Sequence, residues 1–141
     1  MDHTIPKLMK CIVPETGLTI NPIGEIVICC MGDNVALSHI KDIDDLTGFF
    51  NGEVYKKLRR DFKEKSFPKQ CDVCWKYWKA GRSTRFDVYN HFNFPTYEAD
   101  LESDVIPIRF LEITTSNICN QMCVSCSGKY SSKWSPYEKM A

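Results

Sequence analysis

Apolar positions fall into three rhythms along the chain. Leu18-Thr19-Ile20 and Glu25-Ile26-Val27-Ile28-Cys29 are short runs rich in β-branched residues, with the turn-forming stretch Asn21-Pro22-Ile23-Gly24 between them. Together they predict a β-hairpin. Val54, Leu58 and Phe62 then recur at every fourth position with Tyr55 alongside, which predicts an amphipathic helix. Asn51 is its expected N-cap, and Glu53 puts negative charge at the positive end of the helix dipole. Lys56, Lys57, Arg59, Arg60 and Lys63 take the remaining faces, expected to be solvated. The stretch 66–70 breaks this helix. Gly81 is expected to close a short helix after Cys74 as its C′ residue. Ser83 is expected to cap another that carries Arg85, Phe86, Val88 and Tyr89. Finally, 106–113 is an apolar run with the composition of a strand.

Glu98, Asp100, Glu102 and Asp104 form an acidic stretch poor in apolar residues, so a boundary is expected between 96 and 105. The fold class that follows is α+β. A small cysteine-rich unit of hairpin plus helices occupies 1–97, and a strand, a cysteine loop and a helix occupy 105–141. Ser131 is the expected N-cap of that last helix, with Trp134 packed against the strand.

Composition narrows the partners. Eighteen basic and eighteen acidic side chains leave a formal net charge of zero, so no basic excess exists to neutralise phosphates, and a nucleic-acid partner is not expected. No stretch approaches the ~20 apolar residues that span a bilayer, and residues 1–7 lack a signal-peptide core. A cytoplasmic location with no membrane contact is the expectation. Eight cysteines are many for 141 residues, and in a reducing compartment clustered thiols are metal ligands more often than disulfides.

The cysteines form two groups. Cys119, Cys123 and Cys126 lie in a C-x3-C-x2-C array on the loop that leaves the expected strand at its C-terminal end. Soft thiolates select iron–sulfur clusters or zinc. A four-iron cluster held by three sulfurs keeps one iron open, whereas a structural zinc wants four protein ligands and would need a fourth from elsewhere. Cys11, Cys29 or Cys30, Cys71 and Cys74 make a second possible set, with Cys71-x2-Cys74 as a knuckle. Alternation on a strand would send only one of Cys29 and Cys30 to that site. Four sulfurs close a coordination shell, which suits a structural or electron-transfer role. Zinc and a cluster both remain open for this group.

The sequence Asn117-Ile118-Cys119-Asn120-Gln121-Met122-Cys123-Val124-Ser125-Cys126, with Ser131-Ser132-Lys133-Trp134 after it, resembles the radical S-adenosylmethionine enzymes that carry SPASM or twitch auxiliary domains. The spacing of Cys11, Gly24 and Cys29, followed by Cys71-x2-Cys74, resembles the opening of those auxiliary domains. One difference is that Ser125 stands where the family often has an aromatic residue. Another is that the auxiliary region here precedes the barrel strand, whereas in most of the family it follows.

The resemblance implies that residues 105–141 are the start of an incomplete (β/α) barrel in which Cys119, Cys123 and Cys126 ligate a 4Fe-4S cluster that binds S-adenosylmethionine. It implies reductive cleavage of that cofactor to a 5′-deoxyadenosyl radical. It also implies an auxiliary iron–sulfur cluster on Cys11, Cys29, Cys71 and Cys74, with Cys30 as the alternate ligand. A reductant such as flavodoxin or ferredoxin and a peptide or protein substrate go with it. A full barrel needs on the order of 200 residues or more, so the chain is expected to be an enzyme portion that is inactive by itself. The competing expectation is a non-enzymatic zinc-binding module for protein interaction.

Overall fold

The computed structural model describes residues 11–32, 35–64, 66, 68–85, 87 and 103–138. Helix α1 (Ile12–Thr16) runs directly into β1 (Gly17–Ile20), and β2 (Glu25–Val27) returns antiparallel to it. Thr19 faces Val27 and Ile20 faces Ile26 in this hairpin. The turn is built by Asn21, whose Oδ1 accepts the backbone N–H groups of Ile23 and Glu25 at 3.2 and 3.0 Å. Gly24 sits at φ 85°, a left-handed conformation that a side chain would oppose. The hairpin read from the sequence is thus present, although β2 stops two residues early, at Val27.

A two-residue strand, β3 (Ser38–His39), adds to β2 antiparallel. Nothing in its composition marks it, because backbone pairing with Glu25 and Ile26 creates it. A short 3-10 turn over Ile40–Asp42 follows. Helix α2 (Leu46–Phe50), also absent from the sequence expectations, precedes α3 (Glu53–Lys63). Leu18, Ile20, Ile26 and Ile28 of the hairpin pack against Phe50, Tyr55, Leu58 and Phe62 to form the core. Each fully buried aliphatic or aromatic side chain contributes about 1.5–3 kcal/mol relative to exposure.

The face of α3 differs from the expected stripe. Tyr55, Leu58 and Phe62 are buried, whereas Val54 faces solvent. Arg59 leaves the solvated set as well, because its guanidinium lies 4.4 Å from the Phe50 ring centre and 5.6 Å from that of Tyr55. A cation over an aromatic face is attracted by the ring quadrupole.

Asn51 corrects another expectation. The N-cap of α3 is Gly52, and Asn51 ends α2. Its side-chain amide instead pairs with a distant backbone: Oδ1 accepts the Ile106 N–H at 2.8 Å, and Nδ2 donates to the Ile106 carbonyl at 3.1 Å. An amide side chain reproduces both groups of a peptide unit, so it can stand in for a strand neighbour.

That clasp leads into β4 (Phe110–Ile113), the C-terminal half of the apolar run. β4 pairs in parallel with β1, from Gly17 opposite Phe110 to Ile20 opposite Ile113. The sheet order is β3-β2-β1-β4. Phe110, Leu111 and Ile113 are all exposed. The expected boundary at 96–105 falls mostly outside the described residues. Among the described residues, no helix is long and apolar enough to cross a membrane.

Candidate metal centres

Four segments deliver Cys11, Cys29, Cys71 and Cys74 to one cavity. Cys11 precedes α1, and Cys29 lies in the turn after β2. Cys71 ends a 3-10 turn (Lys69–Cys71), and Cys74 sits in the first turn of α4 (Asp72–Lys79). The four thiols share their wall with Val13, Met31, Phe62, Gln70, Trp75 and Arg85, around about 440 Å3 of space that includes its open mouth. Trp75 stacks on Trp78 with ring centres 5.3 Å apart.

The different placements of Cys29 and Cys30 have a local cause. The chain has left β2 by residue 28, and a turn closes from the Cys29 carbonyl to the Gly32 N–H at 3.0 Å. Strand alternation therefore does not govern this pair. Cys29 lines the cavity, and Cys30 accepts a hydrogen bond from Arg85 Nη1.

Burial pushes the Cys11 thiol up to about 12 from its ordinary 9.0, and the neighbouring sulfurs of Cys29 and Cys74 push the same way. Burial raises Cys71 too, reinforced by Cys11, Cys29 and Cys74. Cys29 and Cys74 are raised by burial, partly countered at Cys29 by the backbone N–H groups of Met31 and Gly32 and then Arg85, and at Cys74 by Arg85. These four sulfurs are therefore close enough to oppose one another's charge. Four thiolates could persist there only around a cationic core. Among the described residues, no three Cys, His, Asp or Glu side chains converge tightly enough to hold a single ion. One zinc needs four donors at about 2.3 Å. A cluster spreads its ligands over several irons and accepts a wider set.

The second group looks different. Cys119, Cys123 and Cys126 are on an open loop, with Cys123 exposed and the other two half-buried. Val124 is 100% exposed and Ile118 86%, so the loop turns apolar side chains outward. Its backbone, however, is tightly held by the segment after it. Ser131 Oγ donates to the Gln121 carbonyl at 2.7 Å, Ser132 Oγ to that of Cys119 at 3.3 Å, and Trp134 Nε1 to that of Cys123 at 3.0 Å. Asn117 Nδ2 donates to the Gly128 carbonyl at 3.0 Å. Lys129 Nζ reaches Glu25 of the hairpin at 3.4 Å.

These bonds correct two expectations. The last helix, α5, is Ser135–Glu138, so Ser131 does not cap it. Trp134 uses its N–H on the cysteine loop and sets its ring edge-on to Tyr137. Serine and asparagine side chains compete for nearby backbone groups, and that tendency was the available signal for this scaffold.

Past α4, Gly81 at φ 68° ends the helix as expected, with Gly81 N–H on the Trp78 carbonyl and Arg82 N–H on that of Tyr77. Thr84, rather than Ser83, makes the next cap-like contacts, donating from N–H and Oγ1 to Asp87 Oδ2 at 2.7 and 2.8 Å. Phe86, Val88, Tyr89 and His91 lie outside the described residues.

Residues 11–75 match the SPASM family, described as an iron-sulfur cluster-binding domain. The matched span is just under half of the chain and contains all four cavity cysteines, while the three-cysteine loop lies beyond it. Neither the curated proteins nor the solved structures gave a match. The first part of this chain is therefore similar to an auxiliary cluster domain of the kind that accompanies radical S-adenosylmethionine enzymes.

Proposed function

We propose that this chain binds two iron–sulfur clusters and forms the N-terminal part of a radical S-adenosylmethionine enzyme. The observation that carries the reading is the meeting of Cys11, Cys29, Cys71 and Cys74 at one cavity inside the SPASM-matched span. These residues would hold the auxiliary cluster. Trp75 and Phe62 would limit water at its face, which influences potential. Cys119, Cys123 and Cys126 would hold the second cluster, on a loop fixed by Ser131, Ser132 and Trp134. When bound, a four-iron cluster with three protein ligands supplies an open coordination position and one electron at a time. S-adenosylmethionine is the cofactor proposed for that position. The substrate proposed is a peptide or protein, and the reductant a flavodoxin or ferredoxin.

Anaerobic reconstitution with iron and sulfide tests this. The expected product is brown, with a sulfur-to-iron absorption band near about 400 nm. Colourless protein with stoichiometric zinc and no cluster would favour the zinc-module reading.

A further inference from the structure

The four-cysteine cavity has one charged residue in its wall among the described residues, Arg85. Its placement has a local origin. Gly81 reverses the chain at the end of α4, and the Thr84–Asp87 contacts hold the next turn, so residue 85 returns beside the cavity. Arg85 then touches two cysteines at once. Its Nη1 donates to Cys30 Sγ, and its backbone N–H donates to Cys74. We propose that Arg85 is a positioning and charge-balancing residue that raises the reduction potential of an iron–sulfur cluster held in this cavity. The proposal rests on the cluster reading above.

Net charge and hydrogen bonds to the sulfurs are two of the factors that set a cluster's potential. Four thiolates around a four-iron core give an anionic assembly, and reduction adds one electron without a proton. A fixed guanidinium nearby stabilises the more negative, reduced form. The N–H bond to Cys74 withdraws density from that sulfur and acts in the same direction.

The test uses the full chain carrying C119A, C123A and C126A, so that only the cavity can assemble a cluster. Iron content and the ~400 nm band report assembly, and an EPR-monitored titration with dithionite, a one-electron donor in solution, reports potential. R85Q is expected to assemble the cluster and to lose at least tenfold in reduced-to-oxidised ratio at a fixed potential, about 59 mV for one electron. R85K keeps the charge and is expected to stay within about threefold of the reference, less than half of that shift on the logarithmic scale. Equal potentials in R85Q and the reference overturn the proposal, as do equal displacements in R85Q and R85K. Assembly in R85K but not R85Q overturns it, because the charge then serves assembly of the site rather than its potential. Failure of both variants to assemble overturns it in favour of a structural role. A reference protein that takes up no cluster overturns the reading of the cavity instead, and is distinct from each of these results.

Discussion

The two cysteine groups are built in opposite ways. The cavity gathers four thiols from the two ends of a hairpin and a later helix, half-buries them, and leaves their backbones in separate elements. The loop carries three thiols within eight residues, leaves Cys123 open to solvent, and depends on side chains from 131–134 for its shape. Burial raises the thiolate cost in the cavity, so a ligand that enters there displaces protons and becomes part of the fold. An exposed loop whose backbone is already fixed presents its sulfurs outward with little rearrangement. A closed site and an open site therefore follow from tertiary assembly in one case and local hydrogen bonding in the other.

The largest expected effect separates the sites by metal content. Replacing Cys119, Cys123 and Cys126 by Ala should remove about half of the iron bound after reconstitution, given two four-iron clusters. Replacing Cys71 and Cys74 by Ala should remove the other half. Iron analysis checks both, and loss of all the iron or none with the loop variant would contradict two independent sites.

A smaller effect concerns pH in protein prepared without iron. Cys11 ionises near 9.0 in an unfolded chain and is pushed up to about 12 by burial in the folded one. Its contribution to stability is complete below about pH 9 and is lost as pH rises toward 12, since the unfolded chain then releases a proton that the fold retains. Buried Tyr55 is raised as well and adds to the loss at the alkaline end. Denaturant titrations from pH 7 to 11 should show a falling unfolding free energy above roughly pH 9, and a flat profile would contradict the buried cavity.

The smallest effect sharpens the account of the loop. Trp134→Phe keeps the ring and removes the bond to the Cys123 carbonyl, at a cost of about 0.5–1.5 kcal/mol. Iron retention by the loop cluster should fall while the cavity cluster is unchanged. Equal loss from both sites, measured by iron release to a chelator, would mean that Trp134 acts on the whole fold.

What the sequence revealed, it revealed through short-range pattern. The hairpin was legible because Asn21 and Gly24 sit between β-branched runs, and the cysteine loop because its thiols are neighbours. The Gly81 stop was legible for the same reason. The pairing of β1 with β4 was not, since partners so far apart leave no shared local signal. Asn51 looks like an N-cap in any window of a few residues, and its actual partner, Ile106, is 55 positions away. Arg85 reads as a surface helix residue until the α4 reversal brings it back to Cys74. Cys29 was preferred over Cys30 through a family spacing, and what separates the placements of the two is a turn where a strand had been expected.

The pairing of β4 with β1 also bears on distance. The strand that launches the three-cysteine loop is bonded, residue by residue, to the strand that begins five residues beyond the Cys11–Ile12 junction. The backbone hydrogen bonds between the two strands thus fix where the three-cysteine loop starts relative to the element that follows Cys11, acting as a ruler rather than a tether.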